Sequence, residues 1–513
     1  MNKMLWITGL SFLTCHGIAQ ELKIPTPQWR PLYHFTPQKN WTNDPNGLIY
    51  LDGVYHLYNQ QNPFENKWGH MSWGHAISKD LLNWKQLPVA IPETIDKDTS
   101  LRFSGCAVYD KNNTSGFCKN GGCLVAIYTA DQPNLKKESQ FVAYSNDRGL
   151  TFTDYVHNPV IDLNMKDFRD PNVFWYAPLQ FWLMVVALPT EHKIRFYKSL
   201  NLKNWKLLSE FGNQGITTNI WECPFLVHLP VNGNSRNKKW VVAVSCGGYN
   251  GGPFIQYFVG DFNGKTFKND NPAASILTVD YGDSFYAAIP WNNLPNDRQI
   301  YIGWLVPGSM ETYPWKGQMS IPRDLTLRAT RYGIRLFQNP SSIISKSFAR
   351  ANKLVFDKSH RNLKKEEVSL LTGKGFSKNS YWLDAELSVR PGEKAGFKIV
   401  QKKDEKGNIL NEIAIGFDGK NNILYVDKSR SVNNTMAPDK QKLLTSVALE
   451  NNKLHLQILV DRSSLEVFAN HGQKVISTMI YPPEDATGIS AFAKNGDITI
   501  DRLKIWDMSL PAK

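Results

Sequence analysis

Residues 78–87 read SKDLLNWKQL and residues 199–208 read SLNLKNWKLL, each a polar turn placed before an aromatic residue. SNDRGLTFTDY (145–155) and DFNGKTFKND (261–270) repeat the pattern more loosely. The aromatics Trp84, Phe152, Trp205 and Phe267 lie 68, 53 and 62 residues apart. A period of that length holds about four strands, the size of one β-propeller blade. Four such units, with either the N-terminal stretch or a final unit around 280–337, predict five blades. A sandwich would not repeat its strand, turn and aromatic in this way.

Working outward, the rest of the chain reads as β-structure. Short apolar runs such as GLIYLDGVYHLYNQ, CLVAIYTA, FWLMVVAL and WVVAVSC are separated by turn residues, and no long amphipathic helix stands out. The pattern changes at QNPSSIISKSFARAN (338–352). Beyond it, SYWLDAELSV, NEIAIGFDGKNNILYV and KLHLQILVDRSSLEVFAN carry hairpin signals that suit a β-sandwich. The expected organisation is all-β: a five-bladed β-propeller over 20–340, a linker over 341–352 and a C-terminal β-sandwich over 353–511.

Composition narrows the function classes. At 513 residues the chain is long for one core. Its 26 Phe, 20 Tyr and 16 Trp suit β-structure and sugar-binding surfaces. The net charge of +13 comes from scattered residues, and the densest cluster, RNLKKEE (361–367), carries its own acids. With no basic helix, zinc-finger spacing or RNA-binding signature, no nucleic-acid partner is expected.

MNKMLWITGLSFLTCHGIAQ has a charged start, an apolar stretch and a Gly17-Ile18-Ala19 cleavage site, so residues 1–19 read as a signal peptide. Export to the periplasm, cell surface or medium follows; lipid anchoring through Cys15 fits less well, because Phe12-Leu13-Thr14 is a poor lipobox. No later segment reaches the roughly 20 apolar residues of a membrane span. Of the five cysteines after Ala19, Cys118 and Cys123 flank KNGG closely enough to close a small loop, and an odd number leaves at least one free or paired with another chain.

Three carboxylates stand in unusual settings: Asp44 in NWTNDPNGLIY (40–50), Asp170 in DFRDPNVFW and Glu222 in NIWECPFLV. Each has a plain alternative, as a turn, a local ion pair or a strand end. Together they mark strand ends in three different blades, and inner propeller strands converge on one opening. Two acids flanking one bond is what glycoside hydrolysis needs. No His/Asp cluster suggests a metal, and no cofactor is expected.

WTNDPNG, FRDP and WECP, in this order, resemble the three signature motifs of glycoside hydrolase family 32, the invertases, inulinases and levanases. YHLYNQQNP (55–63), WGHMSWGHAIS (68–78), FSG (103–105), DYGDSFYAAIPW (280–291), PWKGQMSIPR (314–323) and DRSSLEVFAN (461–470) extend the resemblance across both domains. It implies the same propeller and sandwich, and release of fructose from levan, inulin or sucrose with retention. Asp44 would be the nucleophile and Glu222 the acid and base, about 5–5.5 Å apart. Asp170 would bind fructose hydroxyls, and Arg169 would hold the sugar and orient the acids. Asn43, Gln60 and Ser104 would add polar contacts, and Trp41, Trp68, Phe103 and Trp304 an apolar wall. Trp221 and Cys223 are expected to surround the Glu222 carboxyl with apolar atoms.

Ser284, Phe225 and the short segment LVPGSMETYP depart from the family pattern, at positions expected to meet the leaving sugar. Linkage preference and oligomeric state are therefore open, with exo-action favoured. Endo-action, transfer to another sugar, an inverting relative acting on arabinose- or xylose-containing glycans, and a non-catalytic fructan-binding protein are the rival readings.

Overall fold

The turn-and-aromatic repeat has a local physical cause. Asp80 Oδ1 accepts the backbone N–H groups of Leu82 and Asn83, and Asp147 Oδ1 those of Leu150 and Thr151. Asn201 and Asn263 do the same for the two backbone amides that follow each by two and three residues. The short side-chain acceptor fixes the turn, and the aromatic that follows opens the next strand or stands just before it. In every case that strand is the fourth of its unit. The structure is a computed structural model, and it describes residues 25–508 except 96–98, 120, 249–251, 352, 365, 372–378 and 433–440. The segment 1–19 expected to be a signal peptide, with Cys15, lies outside the described residues.

Each unit is an antiparallel meander. The first joins Asn40–Leu51, Val54–Asn62, Ser72–Ser78 and Lys85–Ile91. The second to fourth units begin with Leu101–Asp110, Arg169–Tyr176 and Trp221–Val231. A fifth joins Phe285–Pro290, Ile300–Leu305, Arg323–Thr330 and Gly333–Pro340, and a bridge from Val231 to Leu327 ties it to the fourth. Its last hairpin turns on the Thr330 hydroxyl rather than on an Asp or Asn, which is why the sequence repeat stops at four.

The leading strands of the five units are neighbours in chain order, and Phe285–Pro290 returns beside Asn40–Leu51. Between successive units lie separate apolar layers. Tyr58 and Trp73 meet Ala126 and Tyr128; Val108 and Ile127 meet Val173 and Met184; Val185 and Phe196 meet Val242 and Phe258; Phe225 and Val241 meet Phe285 and Tyr301. A fifth layer packs Ile289 and Ile302 of the last unit against Leu57 and Ala76 of the first.

Segment 341–352, expected as a linker, forms the helix Ser342–Ala351, with Ile344 buried in that fifth layer. After it, two six-stranded antiparallel sheets share one core, in which Leu383 and Ile458 of one sheet meet Phe397 and Ile415 of the other. Cys118 and Cys123 form a disulfide, and Cys106, Cys223 and Cys246 are free and buried.

The sheets of residues 353–507 are bolted to the rest by buried charge. Arg323 donates to Glu466 (2.5 Å), Asp280 (3.1 Å), Gln338 (2.8 Å) and Ser477 (2.7 Å). His34 lies between Asp461 on Nδ1 and Glu466 on Nε2, both at 2.9 Å, with all three side chains closed to solvent. An acceptor at each ring nitrogen is satisfied only by the doubly protonated ring. Burial works against that charge, but the two carboxylates outweigh it and push the His34 pKa up to about 9. Removing one member of such a group leaves an uncompensated buried charge, at a cost of about 3–5 kcal/mol.

Because the folded value exceeds the ordinary 6.5, this stabilisation is complete below about 6.5 and drains away as pH climbs through about 9. The melting temperature is expected to fall across that window by the equivalent of at most about 3 kcal/mol. His34→Gln should flatten that part of the profile. A wild-type melting temperature unchanged through pH 9 would mean that His34 is neutral.

Candidate active site

Every leading strand loses its pairing register near its start. The skips fall between Thr42 and Pro45, Arg102 and Gly105, Arg169 and Asn172, Glu222 and Phe225, and Tyr286 and Ile289. A bulge turns a side chain out of the sheet's alternation and bends the strand. Pro171 and Pro224 sit inside two of the skips, where no ladder N–H is required. Asp170, Cys223 and Ala287 take φ of 68°, 46° and 51°, left-handed conformations that cost about 1–2 kcal/mol each for a residue with a Cβ.

The five bulges bring one network together. Trp41 Nε1 donates to Asn43 Oδ1 at 2.9 Å, and Asn43 Nδ2 donates to Asp44 and to Gln60, both at 3.2 Å. Gln60 donates to the Ser104 hydroxyl, and Ser104 donates to Asp44 Oδ2 at 2.5 Å. Cys223 lies between two acids: its thiol is 3.6 Å from both Asp44 Oδ2 and Asp170 Oδ2, and its backbone N–H donates to Asp170 at 2.8 Å.

Glu222 is held differently. Arg169 Nε donates to Oε1 at 3.2 Å, and the Tyr286 hydroxyl donates to Oε2 at 2.6 Å. Arg169 is in turn fixed by Glu138 at 2.9 Å and Asp167 at 3.0 Å. Tyr286 and Glu138 were not foreseen as part of the site, and Cys223, expected beside Glu222, instead sets its thiol between Asp44 and Asp170. Tyr286 lies within the quoted DYGDSFYAAIPW and could have been singled out; Glu138, 31 residues before Arg169, carries no local signal.

The apolar residues complete the surround. Trp304 meets Trp41 edge-on at 5.8 Å, and its buried indole N–H has no hydrogen-bond partner among the described residues. Phe103, beside Ser104 in the same bulge, meets Trp68 at 6.1 Å. Trp68 is 54% exposed, so it stands as a rim rather than a wall.

Charge is distributed unevenly among the acids. Burial pushes the Asp44 pKa up to about 6; the Ser104 hydrogen bond pulls it down and the charge of Glu222 adds to the rise. Burial and Glu222 also raise Asp170, against the opposing pull of Arg169. Burial opposes the charge on Arg169, but Glu138, Glu222 and Asp170 more than restore it. Burial and the Glu222 charge raise Tyr286 well above the ordinary phenol value, so it stays a donor.

Comparison with known proteins meets this geometry. The family model for the glycosyl hydrolases family 32 N-terminal domain matches residues 34–340, and that for the family's C-terminal domain matches 349–507. The chain belongs to glycoside hydrolase family 32. It is a glycoside hydrolase of the β-fructosidase type. It is 43% identical to a levanase of Bacillus subtilis, over 98% of this chain and 74% of that one. It is 36% identical to an extracellular exo-inulinase of Aspergillus awamori, over 97% and 98%. Among solved structures, the exo-inulinase from Aspergillus awamori superposes with a TM-score of 0.85 at 33% identity, covering 94% of this chain and 98% of that one. The β-fructofuranosidase of Schwanniomyces occidentalis complexed with fructosyl-erythritol gives 0.84 at 31%, covering 95% and 99%.

Two expectations drawn from the family 32 pattern need correction. Phe225 does not face the opening; it is fully buried against Tyr301 between the fourth and fifth units. The bulge shifts the alternation, so the residue after Pro224 turns inward. Nor is Glu222 set among apolar atoms, because a guanidinium and a phenol take its two oxygens. Ser284 is buried and engaged by Asp283 and the Met479 backbone, and Asp283 pairs with Lys428 at 2.8 Å.

Because the pKa of Asp44 is raised, its ionised form burdens the folded state at pH 7. Asp44→Asn should therefore melt no lower than wild type, and higher by the equivalent of up to about 3 kcal/mol, while fructose release is lost. A clearly lower melting temperature would make Asp44 a structural residue.

Proposed function

We propose that this family 32 chain is an exo-acting β-fructosidase that removes terminal fructose from β-fructans with retention. One observation carries the reading: Asp44 and Glu222, from the first and fourth leading strands, border one cluster in which the Cys223 thiol lies 3.6 Å from both Asp44 and Asp170. Neutral donors orient the Asp44 carboxyl, and Arg169 and the Tyr286 hydroxyl fix the position of the Glu222 carboxyl.

In the first step a carboxylate oxygen of Asp44 bonds to C2 of the terminal fructosyl unit. The bond from C2 to the glycosidic oxygen breaks, and the proton of Glu222 passes to that oxygen. In the second step water bonds to C2, gives its proton to Glu222 and frees Asp44 as a carboxylate. Hydrogen bonds from fructose hydroxyls to Asp170, which tighten as the ring flattens, would stabilise the oxocarbenium-like transition state. Arg169 holds the acid in place, and Asn43, Gln60 and Ser104 orient the nucleophile. Trp41 and Trp304 would flank the sugar, with Trp68 and Phe103 beside the entrance. Transfer to a sugar hydroxyl would use the same intermediate.

The same reading takes in the architecture and the compartment. The five meanders form a closed five-bladed propeller over 20–340, supported by the return of the fifth leading strand to the first. The segment 341–352 joins it to a sandwich over 353–511. The leader-like start of the sequence and the extracellular exo-inulinases among the relatives support export, and no described helix is long and apolar enough to cross a membrane.

Product chromatography tests the reaction. Levan and inulin, incubated separately with the protein, should yield fructose as the only early product, and sucrose should yield fructose with an equal amount of glucose. Mixed oligosaccharides at early times would overturn exo-action. Since Asp44 must be ionised to attack and its value lies at about 6, kcat/KM should fall as pH drops below about 6. Ser104→Ala removes a hydrogen bond that favours the carboxylate and should move that limb to higher pH. A limb that stays in place would remove Ser104 from the control of the nucleophile.

A further inference from the structure

The leading strands carry the acids near their starts and then run on to a second opening. At about 3.3 Å per residue, Phe174 lies about 13 Å beyond Asp170, and His228 about 20 Å beyond Glu222. Between the two ends stands Asn292. Its side chain donates to the carbonyls of Ala107 (2.8 Å) and Val173 (2.9 Å), and its backbone N–H to that of Leu48 (2.9 Å).

On the far side of Asn292 is a cavity of about 670 Å³, within the size range of small-molecule sites. Flat rings line it in a staggered set. His228 stacks on Trp240 at 4.3 Å and 8°, Phe174 lies over the same indole at 6.0 Å, and Trp175 stands beside them. Phe174, Trp175 and His228 are only half buried. Beside the rings, Lys238, two residues before Trp240 on the same strand, forms an ion pair with Asp297 at 3.2 Å, with Asp297 largely exposed. None of these groups touches the network around Asp44 and Glu222.

We propose that this cavity is a second carbohydrate-binding site that holds an internal stretch of the β-fructan chain whose end is cut on the opposite face. The inference rests on the reading of the substrate given above. Furanose rings have apolar C–H faces that lie against aromatic planes, and their hydroxyls donate to a carboxylate such as Asp297 and accept from an ammonium such as Lys238. A polymer long enough to reach both faces gains from the second contact by effective concentration.

The test uses the full chain carrying Asp44→Asn, which cannot consume the ligand, in native electrophoresis through gels containing levan or inulin. Retardation is expected, is expected to survive saturating fructose that fills the catalytic end, and under that fructose is expected to vanish in Asp44→Asn combined with Phe174→Ala or with His228→Ala. In the otherwise wild-type chain, the same two single substitutions should raise KM for the polymer by about a hundredfold, the low end of what a linked second site supplies, and leave kcat/KM for sucrose unchanged. Melting curves identify a variant that has lost its fold, and the other variant then decides.

Retardation abolished by fructose alone, absent altogether, or persisting under saturating fructose in a folded cavity variant overturns the second site while leaving the catalytic reading intact, provided wild type still releases fructose. A wild type that releases no fructose from any of the three substrates overturns the catalytic reading, and the proposed ligand with it.

Discussion

Five strands cannot bring their polar side chains to one point while each keeps the strict alternation of a sheet. The molecule meets this constraint by breaking the ladder once in every leading strand, at nearly the same level. Each break spends backbone strain or a lost pair of ladder bonds to turn a side chain toward the axis. Those costs are tolerable because thick apolar layers between the units hold the strands on both sides. Stability made between the units is thus used to hold charge at the centre, which no isolated meander could do.

The same logic governs the buried charges between the two parts of the chain. Arg323, Asp280, Glu466, Asp461 and His34 come from widely separated segments, and each satisfies another's charge or hydrogen bonds. Such a cluster adds little net stability over an apolar contact, but it tolerates no shift in register. The strand end that follows Asp280 carries Ser284 and Tyr286, and Tyr286 donates to Glu222. The sandwich therefore fixes, through Asp280 and Ser477, the start of the strand that positions the acid. The DRSSLEVFAN segment belongs to this joint: Asp461 and Glu466 do their work beneath the surface, away from any sugar.

Much of this could be read from the sequence, and the reasons differ by feature. The repeat was legible because an Asp or Asn that closes its own turn is a local device, independent of the rest of the fold. The fifth unit was placed by counting rather than by motif, since Thr330 replaces that device. The acids were legible because their neighbours, Asp44-Pro45, Asp170-Pro171 and Cys223-Pro224, record the bulges: a proline falls where the ladder is broken. Phe225 was misplaced because the family pattern put it where the leaving sugar was expected, whereas the bulge at Cys223-Pro224 turns it inward. Glu138 and His34 could not be found, since what makes them matter lies dozens or hundreds of residues away.

The carboxylate of Asp461 accepts the backbone N–H groups of Leu32, Tyr33 and His34, across sequence separations of 427 to 429 residues. Asn292 likewise binds the carbonyls of residues 48, 107 and 173. The backbone amides of residues 32–34 thus gain their acceptor only when residue 461 is in place, and the carbonyls of three leading strands gain theirs only when Asn292 arrives. Contacts of such range make assembly slow. They leave the leading strands of the first units with unsatisfied edges in the meantime, so the emerging chain is exposed to mispairing until its C-terminal half is available. A truncation within the sandwich would therefore be felt first at the N-terminus.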